Sequence, residues 1–194
     1  MNFDQKPVLP PFAETLRVVR ILKLPEPLDT EAEDPWALLS FLMFVQPRNS
    51  SWCWAATVAS VVRYFEGRLV CQCAIVGDGV RDCCKGIDPQ KCEDLGTVVS
   101  DDCNKPGRLE VGLKKFNHFR CCIQKTPKLD VVRGEIDGGN PVLFRQKIGH
   151  FVVVSGYERG GGSVLVQDPF NGLTLAPVYS EFAACCTHTY FTKR

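Results

Sequence analysis

The chain has 194 residues, of which 45% are apolar and 23% charged, and its formal net charge is +1. These values are typical of one globular domain, and a charge near zero gives no electrostatic basis for binding nucleic acid or an anionic membrane. The longest apolar stretch, at 37–45, is far shorter than the roughly 20 residues that cross a bilayer. We therefore expect neither a nucleic-acid nor a membrane partner.

Residues 1–36 differ in composition from the rest. Prolines recur along them, an acidic run covers 26–35, and a short amphipathic piece lies at 12–24. We expect an N-terminal extension that packs as an arm, acts as a pro-segment or contacts a partner, followed by one domain at 37–194. The first residues lack a basic stretch followed by an apolar one, so a secretory signal of that form is not expected.

A buried helix is predicted at 54–66, where apolar residues occupy nearly every position. A helix that is apolar on all faces must be buried on all sides. Ser50 and Ser51 are expected to cap its start, and Gly67 is expected to end it.

Later elements are predicted from the spacing of apolar residues. An irregular, cysteine-rich region at 68–106 comes first. It is followed by helices after 107 and after 127, and then by a meander of strands at 141–146, 150–157, 163–168, 173–178 and 187–192. Helices followed by a run of antiparallel strands predict the α+β class.

The cysteine count is high for a chain of this size. Ten of the eleven lie outside the Trp-Cys-Trp segment, which fits several disulfides and one free thiol. Disulfides favour an oxidising destination, whereas the missing signal favours the cytoplasm. A protein made in the cytoplasm and delivered elsewhere would reconcile the two. The cysteines are Cys53, Cys71, Cys73, Cys83, Cys84, Cys92, Cys103, Cys121, Cys122, Cys185 and Cys186.

Two residues point to nucleophilic catalysis. A cysteine attacks a carbonyl as the thiolate, which a helix N-terminus and a neighbouring histidine both favour. Cys53 lies where the buried helix begins. His150 follows a glycine and opens an apolar strand, so open space lies beside it and a rigid strand behind it. Taken singly, Cys53 could be a buried small residue and His150 a strand-edge histidine.

A general base needs a partner on its second ring nitrogen. The predicted hairpin with a turn near 159–162 returns Asp168 and Asn171 towards His150, and either could orient it. Gln46, a few residues before Cys53, is a candidate donor to the oxyanion of the tetrahedral intermediate.

The same residues carry a resemblance to a known family. Over roughly residues 40–194, the sequence is similar to the bacterial papain-like cysteine peptidases that are relatives of a plant-pathogen effector and of the bacteriocin-processing peptidases. The matching segments are Gln46, Ser51-Trp52-Cys53-Trp54-Ala55-Ala56, Gln72-Cys73, Asp82-Cys83-Cys84, Cys103-Asn104-Lys105-Pro106, Gly149-His150-Phe151-Val152-Val153-Val154-Ser155-Gly156-Tyr157, Asp168-Pro169 and Thr187-His188-Thr189-Tyr190-Phe191-Thr192.

The resemblance implies a papain-like fold, in which a helical half with a central buried helix carries Cys53 and an antiparallel β-sheet half carries His150. It implies that Asp168 orients His150, that Gln46 lies at the oxyanion site, and that no cofactor or metal is required. It further implies a bacterial effector or toxin that cuts a protein or peptide substrate and has a cognate immunity or inhibitor protein.

Two other classes of protein fit the same residues. A transglutaminase-type enzyme or deamidase uses the same order of cysteine, histidine and aspartate. A protein without catalytic activity could instead bind zinc through 71–103 or act as a binding module. Against zinc, adjacent cysteines such as Cys83-Cys84 lack the usual two- to four-residue ligand spacing.

Overall fold

The computed structural model describes residues 34–77 and 102–194. These residues form an α+β fold, as predicted, and no helix among them is long and apolar enough to span a membrane. The predicted piece at 12–24 and most of the cysteine-rich region lie outside the described residues. The helices are α1 (Cys53–Glu66), α2 (Gln72–Val76), α3 (Leu109–Lys115), α4 (Leu129–Asp137) and α5 (Tyr179–Ala184). The strands are β1 (Trp36–Leu38), β2 (Phe119–Ile123), β3 (Val142–Gln146), β4 (Phe151–Glu158), β5 (Val164–Gln167), β6 (Thr174–Leu175) and β7 (Cys186–Thr192).

The strands form one antiparallel sheet in the order β2-β7-β3-β4-β5-β6, and β1 pairs with the end of β4. Strands β3 to β6 are the predicted meander. The expectation that the last strand continues it is wrong, because β7 lies between β2 and β3. Helix α5 lies in the connection between β6 and β7. Its Phe182 packs edge-on against Phe144 of β3, with ring centroids 5.0 Å apart, so the chain passes over one face of the sheet.

Both faces of the sheet are buried. Leu143, Phe151 and Val153 join the core around α1, whereas the alternate residues of the same strands join a second core with α4 and α5. This explains the continuous apolar run of β4, since a strand covered on both faces needs no polar side. The packing places the start of β4 against the start of α1.

Helix α1 is buried on every face from Trp54 to Val62. It ends at Gly67, which adopts a left-handed conformation (φ 69°) and donates its N–H to the Arg63 carbonyl, as the sequence predicts. The prediction that serines cap its start is wrong. Trp52 is the N-cap residue, and the hydroxyl of Ser50 donates to the Pro47 carbonyl at 2.7 Å.

Apolar spacing does not predict four short elements, β1, β2, α2 and α5. Strand β2 is an edge strand whose adjacent Arg120 and Cys121 are both exposed, so it shows no alternation. Helices α2 and α5 have five and six residues, too few for a helical period to be visible. The strand predicted at 173–178 shrinks to two residues because Pro177 has no N–H to pair.

The expectation of one free thiol is wrong. Adjacent residues of a strand point to opposite faces of the sheet, so Cys121 and Cys122 on β2 lie on opposite sides. Cys71, Cys73 and Cys103 are disulfide-bonded. The free cysteines of the described residues are Cys53, Cys121, Cys122, Cys185 and Cys186.

Candidate active site

Cys53 is the first residue of α1, so its backbone N–H belongs to the first turn of the helix, where amides have no partner within the helix. The preceding loop is held from across the chain. The indole of Trp52, only 1% exposed, donates its Nε1–H to the Cys103 carbonyl at 2.8 Å. The Ser51 N–H donates to Asn104 Oδ1 at 2.7 Å. The nucleophile candidate is therefore mounted on a rigid helix and a pinned loop.

Asn104 belongs to a segment that resembles the family, but the sequence predicts no role for it; in the structure it positions the loop before Cys53. Its Oδ1 accepts from the Ser51 N–H, and its Nδ2 donates to the Asn49 carbonyl at 3.1 Å. One amide thereby fixes two points of the loop that leads to Cys53. No periodicity marks such a contact, because the partners are more than fifty positions apart.

His150 lies immediately before β4, at the end of a tight β3–β4 turn. Its carbonyl accepts from the Gln146 N–H at 2.8 Å, and the Gly149 N–H donates to the Gln146 carbonyl at 2.9 Å. Gly149 has a φ of 87°, which a residue with a side chain rarely adopts. The turn fixes the backbone of His150, and so limits where its ring can point.

Asp168 follows β5 and is the partner of the His150 ring. Its Oδ1 accepts from His150 Nε2 at 2.6 Å and from the Phe170 N–H at 2.8 Å. The other candidate, Asn171, is exposed, and its Oδ1 accepts from the Leu173 N–H. The hairpin therefore returns Asp168 to His150, and Asn171 closes the loop beyond it.

The electrostatics of His150 follow from these contacts. Burial lowers the pKa of the ring, but the hydrogen-bonded Asp168 carboxylate and the nearby Cys53 sulfur outweigh burial and raise the pKa from 6.5 to about 9. Since Nε2 is engaged by Asp168, Nδ1 is the nitrogen left to face the Cys53 thiol. An imidazolium beside a sulfur is the arrangement that stabilises a thiolate nucleophile.

Gln46 is buried, with 5% exposure, in the loop before α1. Its backbone N–H donates to the Pro169 carbonyl at 2.7 Å, and its Nε2 donates to the Ser50 carbonyl at 2.6 Å. Its Oε1 is buried without a hydrogen-bond partner. The residue thus links the loop of Cys53 to the loop of Asp168.

The segment 39–46, which we call the strap, joins the sheet to the helical half. The Leu39 N–H donates to the Ser155 carbonyl of β4 at 2.9 Å. The Phe44 N–H donates to the hydroxyl of Ser60, a buried residue of α1, at 2.8 Å. These bonds tie strand and helix to one backbone segment, and so restrict the separation of Cys53 from His150.

A cleft of about 290 Å³ opens beside Cys53. One wall is built on Gly107, where a Cβ would lie 2.1 Å from the indole of Trp54, so any side chain there would displace the wall. A second groove, of about 560 Å³, adjoins it and shares Trp54 and Arg108 with it. Among residues 34–77 and 102–194, no group of three or more His, Cys, Asp or Glu is placed to hold a metal ion.

The sequence matches the Peptidase C39-like family over residues 38–185. No curated protein matches the chain.

Two solved structures match the chain. The peptidase domain of Streptococcus ComA, a bifunctional ABC transporter involved in quorum sensing, shares 15% identity at a TM-score of 0.51, covering 79% of this chain and 99% of that one. A double-glycine-motif protease from an AMS/PCAT transporter, solved with its leader peptide, shares 16% identity at a TM-score of 0.44, covering 81% and 98%.

The expected papain-like fold is confirmed, and the family match favours a peptidase over the transglutaminase-type alternative. The match spans most of the chain, including the segments around Cys53, His150 and Asp168. The chain belongs to the Peptidase C39-like family of papain-like cysteine peptidases.

Proposed function

We propose that Cys53, His150 and Asp168 form a catalytic triad that hydrolyses peptide bonds in a protein or peptide substrate. The observation that carries the proposal is the 2.6 Å hydrogen bond between His150 Nε2 and Asp168 Oδ1, together with the proximity of the Cys53 sulfur to the same ring. The proximity of an imidazolium to the sulfur supplies the nucleophile, and the buried carboxylate fixes the ring.

The reaction follows from this geometry. The Cys53 thiolate attacks the substrate carbonyl carbon, and the negative charge passes to the carbonyl oxygen. His150 gives its proton to the leaving amine as the C–N bond breaks, and an acyl-enzyme remains. A water molecule, deprotonated by His150, then attacks the acyl carbon and releases the acid. The cleft and its adjoining groove offer room for several residues of an extended peptide.

The labelling of Cys53 tests the nucleophile. We expect a small epoxide to add once to the wild-type protein without reductant, at Cys53, because the neighbouring imidazolium activates that sulfur. Cys53→Ala should remove the adduct, and His150→Ala should slow its formation at least tenfold. Intact mass gives the number of adducts and the rate at which they form, and peptide mapping gives the labelled residue. Equal labelling of exposed Cys121 and of Cys53 would contradict the assignment, and Cys121→Ala serves as the matched control.

Gln46 is proposed as an oxyanion donor together with the Cys53 backbone N–H. The support is its place in the loop before α1 and its buried amide, whose Nε2 uses one hydrogen at the Ser50 carbonyl and retains a second. A donor lost from such a site typically costs about 100-fold in rate.

Replacement of Gln46 distinguishes this role from a structural one. Gln46→Glu keeps the size of the side chain but removes the donor, so cleavage of a mixed peptide library should slow about 100-fold. Alkylation of Cys53 by iodoacetamide forms no oxyanion and should change only a few-fold. If peptide cleavage and alkylation slow by the same factor while the melting temperature equals that of the wild type, Gln46 does not act on the oxyanion.

We also propose that the enzyme acts as a bacterial effector or toxin outside the cytoplasm that makes it, countered by an immunity or inhibitor protein. The disulfide-bonded state of Cys71, Cys73 and Cys103 supports an oxidising destination. In active protein recovered from culture medium, these three should react with iodoacetamide only after reduction. Their alkylation without reductant, or retention of all active protein inside the cell, would contradict the delivery proposal.

A further inference from the structure

We propose that Arg145 selects an acidic side chain of the substrate, so that the enzyme prefers glutamate or aspartate in the cleft beside Cys53. This inference rests on the proposed peptidase function and deepens it by naming a specificity-determining residue.

Arg145 is placed to meet a bound substrate. It is the exposed residue of the otherwise buried strand β3 and is paired in the sheet with Phe151, the residue after His150. It lines the cleft together with Cys53, and its Nη2 lies 3.9 Å from where a Cβ at Gly149 would be. Arg145 and His150 lie on either side of the β3–β4 turn. The guanidinium can therefore reach the side chain of a substrate residue at the cleaved bond or of its neighbour.

Among the charged groups of the described residues that line the cleft, Arg145 has no partner of opposite charge. The cleft also contains Arg108 and Glu110, but these neutralise each other, with Arg108 Nη2 2.6 Å from Glu110 Oε1. Cys53 and His150 carry opposite charges in the proposed active form. Within the described ranges, no carboxylate lies at ion-pair distance from the Arg145 guanidinium. The cleft therefore offers one unpaired positive charge to its ligand.

An arginine at this place favours a carboxylate over other acceptors. Its planar guanidinium can donate two parallel hydrogen bonds to the two oxygens of one carboxylate. A neutral amide has only one acceptor oxygen and cannot accept both bonds in this way. Tyr190 lines the same cleft, and burial raises its pKa to about 12, so its hydroxyl is neutral and adds no competing negative charge. Because the cleft is open to solvent, we expect a preference on the order of fivefold, which added salt should reduce.

The experiment uses the full chain and three epoxysuccinyl peptides that differ only in the side chain next to the epoxide, which is glutamate, glutamine or lysine. The rate of Cys53 labelling is followed by intact mass. Wild type should react about fivefold faster with the glutamate probe than with the glutamine probe. Arg145→Gln should lose this difference, and Arg145→Glu should favour the lysine probe. The control is Lys128→Gln, which removes an exposed charge before α4, on the opposite face of the sheet, and should keep the wild-type preference.

Equal rates with the glutamate and glutamine probes in wild type would overturn the inference, as would a preference that survives in Arg145→Gln. A small epoxide without a peptide arm distinguishes a failure of the Arg145 proposal from a failure of the proposed peptidase function. If it labels Cys53 while the probes show no preference, only the role of Arg145 fails. If it does not label Cys53 either, the proposed function fails and this inference fails with it.

Discussion

The hydrogen bond between His150 Nε2 and Asp168 Oδ1 is the contact on which the site depends. It joins the residue before β4 to the residue after β5, and so closes the end of one hairpin. Because Nε2 is held there, Nδ1 is the ring nitrogen left for Cys53. The same bond, with the nearby Cys53 sulfur, offsets the effect of burial and raises the pKa of the ring to about 9. Asp168 thus orients the proposed base and, together with Cys53, raises its pKa.

The rest of the fold serves to bring the end of that hairpin to the start of α1. The buried face shared by α1 and β4 sets the distance between the two halves, and the strap fixes it with hydrogen bonds to both. Buried polar groups such as Ser60 are costly unless bonded, so each of these contacts admits few alternatives. The loop before Cys53 is fixed in the same way by Asn104. Rigid mounting of this kind suits a nucleophile, whose reaction requires a defined approach.

Local signals in the sequence predict much of this arrangement. The all-apolar run of α1, the glycine that ends it, and the hairpin that returns Asp168 to His150 depend on near neighbours, and each is visible in spacing and turn residues. Contacts between distant segments leave no such trace. On the way to β7, which lies beside β3, Phe182 packs against Phe144, a contact between distant segments. The loop before α1 is likewise held by Trp52 and Asn104 and not by a serine cap. The choice between Asp168 and Asn171 required the register of β4 and β5, which a bulge near Gly156 shifts.

The protonation state of His150 tests the proposed triad most directly. The chain has three histidines, so ¹⁵N NMR of histidine-labelled protein gives a simple spectrum, and His150→Gln identifies the relevant signal. A raised pKa means that the proton is bound below about pH 9 and lost above it. We predict an imidazolium at pH 7 that titrates near pH 9 in the wild-type protein, and titration at lower pH in Asp168→Asn. A neutral ring at pH 7 that titrates near 6.5 in wild type would contradict this prediction.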